Sequence, residues 1–179
     1  MRMYNKLPHT LEINNKEITI NTDYRLFVKF ELEMQGNDTK RAMLNVLSAF
    51  YPAFSLITEE MVDKFIWFYK CGKTDENKSK KGKTTKDRAY DYEIDDDLIY
   101  SAFMETYHID LSRPLHWWKF KALFNGLNSE CEFCKIKSYR LYNGKDKNLL
   151  ELKEYYKLPP TKIEIEDKLR QEKLYEALK

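Results

Sequence analysis

Between residues 23 and 142, large apolar side chains recur at helical spacing in stretches that open at capping residues, several of them stopping at Gly or before Pro. This punctuation constrains the chain most, because a 3.6-residue apolar period laid on a strand would turn half of its greasy groups to water. Thr22 or Asp23 caps a first stretch carrying Tyr24, Phe27, Val28, Leu32 and Met34, which Gly36 stops. Asp38 caps a second with Met43, Leu44, Val46, Leu47 and Phe50; it ends at Tyr51 because the residue before Pro52 avoids the helical region. Thr58 opens a third, whose stripe of Met61, Val62, Phe65, Ile66 and Tyr69 is widened by Trp67 and Phe68 and closed at Gly72.

The same reading continues beyond residue 90. Asp95, Asp96 and Asp97 place carboxylates at the positive end of a fourth helix with Leu98, Ile99, Ala102, Phe103 and Tyr107. Ser112 and Pro114 introduce a fifth, with Trp118, Ala122 and Leu123 facing inward up to Gly126, and Ser129 starts a sixth through Phe133, Ile136 and Leu141. Ahead of them all, residues 11–20 alternate apolar and polar around Asn14, Asn15 and Lys16, which reads as a hairpin. The expected fold is therefore mainly α: a globular domain of about six helices with a short N-terminal β-hairpin over residues 1–145. Residues 146–179 are read as a charged extension, helical after Pro160, where Ile165, Leu169, Leu174 and Leu178 stand among many charges.

Composition narrows the function classes. Thirteen Tyr, ten Phe and three Trp concentrate the apolar surface in rings and favour a folded chain. A net charge of +2 creates no global field for DNA or a membrane surface. Apolar side chains nearly vanish over residues 73–88, read as a solvated loop in which Lys78, Lys80, Lys81, Lys83 and Lys86 could contact phosphates, with Tyr90 and Tyr92 beside them for stacking. Nucleic acid is the weaker alternative here, since solubility accounts for such a run. No stretch approaches the roughly 20 apolar residues that span a bilayer, and the first residues lack the apolar core of a signal peptide, so no membrane partner and the cytoplasm of the cell are expected.

Candidate chemistry is sparse. Cys131 and Cys134, with Cys71 and His116, could in principle form a Cys3His zinc site, but a second Cys-x-x-Cys knuckle is missing and packing explains two small residues one turn apart. Asp91, Glu93 and the triplet Asp95, Asp96 and Asp97 lack the spaced ligands and glycine of a calcium loop, and helix capping accounts for them. His108 and His116 stand near no Ser or Cys nucleophile motif, and the five glycines form no phosphate cradle. The expectation is a protein without catalytic residues, cofactor or metal.

Several separated blocks carry a resemblance: residues 20–25 with Lys29, Phe30 and Glu31; residues 67–72; Tyr90, Asp91, Tyr92 and Glu93 with the acids after them; and residues 115–124. In these blocks, spanning most of residues 4–142, the chain resembles the bacteriophage gene-product-fifteen family, encoded in the tail module of siphophages and prophages of Gram-positive bacteria. The resemblance implies a place between the genes for the tail tube and the tape-measure protein, and with it a tail assembly chaperone in the host cytoplasm, partnered by the tape-measure protein or another tail protein. A structural component of the finished tail is the alternative, and self-association is left open. A long helical tape-measure chain exposes apolar stripes that need cover before the tube encloses it. Tyr4, Tyr51, Phe54, Trp117 and Phe120 are read as spare rings beyond what one small core can hold, and the last four of them as a partner-binding surface.

Overall fold

The computed structural model describes residues 6–73 and 87–177. Two strands, β1 (Thr10–Ile13) and β2 (Lys16–Thr19), pair antiparallel with Leu11 opposite Ile18 and Ile13 opposite Lys16. Asn14 and Asn15 form the two-residue turn with φ of 51° and 57°, the left-handed conformation that Asn tolerates and that matches the twist of the strands. Period-2 alternation turns Leu11, Ile13 and Ile18 to the core, so the marginal hairpin is held by the helices beneath it.

Among the described residues eight helices follow: α1 (Tyr24–Glu33), α2 (Thr39–Phe50), α3 (Glu59–Tyr69), α4 (Asp96–Tyr107), α5 (Trp117–Asn125), α6 (Glu132–Arg140), α7 (Lys147–Tyr155) and α8 (Lys162–Ala177). The chain is mainly helical with an N-terminal hairpin, as expected. Asp23, Asp38 and Thr58 accept backbone N–H bonds at the starts of α1, α2 and α3. At α5 the capping side chain is His116, which accepts from Trp118 N, and the caps foreseen at Ser112 and Pro114 lie in the preceding turn. Helix α7 has no counterpart among the expected six: Asp146 caps it and Leu149, Leu152 and Tyr156 are half-buried on one face, but none of its side chains is fully buried.

Helix α5 lies at the centre of a continuous stack of rings. Trp117 stacks on Phe27 of α1 at 4.8 Å between centroids and on Tyr69 of α3 at 5.7 Å; Phe120 stacks on Tyr24 at 4.5 Å and on Phe103 of α4 at 5.3 Å; Phe124 meets Phe133 of α6 at 5.4 Å. Each such ring contributes roughly 1.5–3 kcal/mol through burial and about 0.5–1.5 kcal/mol more through the ring pairs. The end of α3 makes this possible. Of its last carbonyls, Ile66, Trp67 and Phe68 O accept from the backbone of Lys70, Gly72 and Cys71, and two consecutive indoles complete the set, Trp117 Nε1 donating to Tyr69 O at 2.9 Å and Trp118 Nε1 adding a bond to Phe68 O at 2.7 Å. Gly72, at φ 70°, closes the helix where a Cβ would stand 3.0 Å from the Trp118 ring.

These contacts correct the expected partner surface. Trp117 and Tyr51 are 0% exposed and Phe120 is 1% exposed, so three of the four proposed contact rings belong to the core and are not surplus to it. Tyr51 also donates its hydroxyl to Met61 O at 2.8 Å. Ala122, expected inward, is exposed, and Leu123 is half-buried. Phe54 remains accessible at 39%, beside the more exposed Leu56. Tyr4, Lys78, Lys80, Lys81, Lys83 and Lys86 lie outside the described residues.

Asp96 and Asp97 stand in the first turn of α4, as expected of the acidic run, but Asp95 does not act as a cap. Asp95 stands at the N-cap of α4 but makes no capping bond with a helix N–H; it is buried against Arg140 of α6, whose two guanidinium nitrogens donate to its oxygens at 2.6 and 2.9 Å. Arg140 Nε donates in turn to Tyr156 O just past α7. Arg140 thus ties the start of α4 to α6 through a charged pair and the end of α7 to both through a backbone carbonyl.

Candidate interaction groove

A cavity of about 540 Å³ opens between α1, α3 and residues 88–92. Phe30 and Met34 from the end of α1, Met43 from α2, and Phe65, Ile66 and Tyr69 from α3 form its apolar wall, with Tyr90 and Tyr92 on the opposite side. The helical period explains the convergence: Phe30 and Met34 are four residues apart, as are Phe65 and Tyr69, so each pair shares one helix face. Met34, Met43 and Ile66 are only partly buried, which leaves adaptable thioethers at the surface.

The polar groups beside this wall are mostly engaged with one another. Glu31 accepts from the Tyr69 hydroxyl at 3.0 Å and lies 3.7 Å from Lys121 Nζ, which also stands over the Trp117 ring at 5.0 Å. Burial pushes the Tyr69 phenol up, and the Glu31 charge adds to it. Tyr92 is 7% exposed, its hydroxyl meets no hydrogen-bond partner among the described residues by the geometry of its neighbours, and burial followed by the Glu31 charge pushes its pKa up as well, so both phenols stay protonated at neutral pH. At the rim Arg88 donates to Gln35 at 3.1 Å and to Asp91 at 2.8 Å. The site thus offers apolar contact with a little hydrogen bonding.

The residues weighed for other chemistry are spread over the fold. Cys71 follows the end of α3 in a left-handed conformation, whereas Cys131 and Cys134 begin α6. Both His116 nitrogens are engaged, Nδ1 accepting from Trp118 N and Nε2 lying 3.0 Å from Pro8 O, and burial holds its pKa below the usual histidine value. Among the described residues no group of three or more His, Cys, Asp or Glu is gathered for a metal. Phe54 is not part of the groove. The groove went unread in the sequence because its lining comes from three helices and a loop, and each of its residues also fits a core stripe.

A family model, that of the Bacteriophage Gp15 protein, matches residues 3–161. The chain belongs to this family. No curated protein and no solved structure matches it. The Gp15 match includes the groove, the Arg140–Asp95 pair and α7, and it stops one residue before α8 begins. No helix among the described residues of this Gp15 chain is long and apolar enough to cross a membrane.

Proposed function

We propose that this Gp15 protein is a tail assembly chaperone that binds the tape-measure protein, with the groove between α1, α3 and residues 88–92 as its client site and with no catalytic chemistry of its own. The observation that carries the reading is the lining of that groove: Met34, Met43 and Ile66 give it an adaptable apolar wall, suited to accepting side chains from one face of a helix. A long client with repeated apolar stripes would be covered by several copies, each binding weakly. The engaged pairs beside the wall, Glu31 with Tyr69 and Arg88 with Asp91, support holding over turnover, since neither includes an activated nucleophile. The apolar surface assigned to binding thus moves from the buried rings Tyr51, Trp117 and Phe120 to the groove.

Co-expression with the tape-measure protein tests this reading. The client's soluble fraction should rise with the chain present and fall back with Ile66→Asp, which sets an unpaired charge in the wall. A client equally soluble with and without the chain counts against chaperoning. Retention as a structural component of the tail is separated by looking for the chain in purified virions.

A further inference from the structure

Cys131 occupies the N-cap of α6 with extended backbone, φ −65° and ψ 149°, and its side chain makes no capping hydrogen bond. Cys134 lies three residues on, in the first turn. The N-cap and the third helical residue lie one turn apart at the start of α6, and the Cys134 thiol is within hydrogen-bond reach of the Cys131 side chain. The Cys134 thiol is pushed up by burial and by the adjacent Cys131. Exposure separates their roles, for Cys131 is 2% exposed whereas Cys134 is half-buried. Cys71, the third thiol, sits on a different element at the end of α3.

We propose that Cys131 and Cys134 are a redox-active dithiol that closes to an intramolecular disulfide when met by a small disulfide oxidant of the glutathione class. The more accessible Cys134, as thiolate, attacks one sulfur of glutathione disulfide and releases the first glutathione. Cys131, deprotonated in turn, attacks the Cys134 sulfur and displaces the second. Two S–H bonds are lost and one S–S bond forms; two electrons reduce the oxidant, and the two protons end on the released glutathiones. Because burial keeps Cys134 protonated, closure accelerates as pH rises. In a reducing compartment the pair stays open, and in an oxidising one it pins the first turn of the helix that carries Arg140.

The test uses the full chain, reduced and then equilibrated across ratios of reduced to oxidised glutathione, quenched with a maleimide and read by intact mass and peptide mapping. The expected result is joint loss of alkylation at Cys131 and Cys134, a mass lower by two hydrogens before alkylation, and no peptide linking either to Cys71. Cys131→Ser should trap Cys134 as a stable glutathione adduct. Because residue 131 is buried, Cys134→Ser provides a second variant that spares the core, and it should leave Cys131 alkylatable after unfolding. The proposal is overturned if both thiols remain free at the most oxidising ratio, if the wild type accumulates the Cys134 adduct without closing, or if Cys71 forms the bond.

Discussion

Trp117 shows what a single side chain settles in this fold. Its ring stacks on Phe27 and Tyr69, and its indole N–H satisfies a carbonyl at the end of α3, so Trp117→Ala removes packing and leaves Tyr69 O short of a partner. The expected cost is about 3–5 kcal/mol in urea unfolding; a loss below about 1 kcal/mol would refute the central place given to α5. Asp91 makes the corresponding point for charge. Burial alone pushes its carboxyl up, but bonds from Glu93 N at 2.9 Å and Ile94 N at 3.3 Å, with the Arg88 guanidinium, outweigh that and hold it below the usual range. A group depressed in the folded state gives stability that is present above its unfolded value of about 3.9 and is lost as pH falls through that value toward the folded one. Asp91→Asn should therefore lower the melting temperature at neutral pH and flatten its decline below about pH 4. An unchanged acid limb in the variant would remove Asp91 from the acid response.

At the scale of elements, legibility followed capping and period. Helices α1, α2 and α3 were readable because Asp23, Asp38 and Thr58 act locally, through bonds to residues two or three positions away. Helix α7 was not, since it fully buries no side chain and is held by bonds outside itself: Lys153 donates to Asp87, 66 residues away, and to Tyr142 O, and Arg140 reaches Tyr156 O. Asp95 was misread for the same reason, because a cap is a local event whereas its partner Arg140 lies 45 residues on. Helix α8 presents a different balance. None of its described side chains is buried, and the arm it belongs to is tied to the body by Arg88 donating to Pro159 O and by Asn37 donating to Glu166. Arg88→Ala should loosen this arm, and limited proteolysis should then cut near residues 158–162 several-fold faster while the helical circular dichroism of the body persists. Equal cutting rates in the two proteins would show that the arm is held by something other than Arg88.

For the whole molecule, the question is where the cooperative unit ends, and the distribution of buried contacts answers it. The apolar cluster runs from the hairpin through Phe133 without a break, so the hairpin and the helices that share it should unfold together. The groove inherits its shape from that unit: its wall joins Met34, Met43 and Ile66, which only folding brings together, and for this reason it could not be read from any one stretch of sequence although every stripe that builds it could. Two truncations separate the core from its attachments. Ending the chain after residue 161 removes α8, whose described side chains are exposed apart from the half-buried Ile163, and should change unfolding free energy by less than about 1 kcal/mol while keeping one sharp transition. Ending it after residue 145 removes the carbonyl of Tyr156 and leaves a buried Arg140 donor unpaired, at a cost of about 1–3 kcal/mol. If the two shortened chains unfold at the same urea concentration, α7 contributes nothing to the unit, and the tie from Arg140 to Tyr156 is a surface contact without consequence.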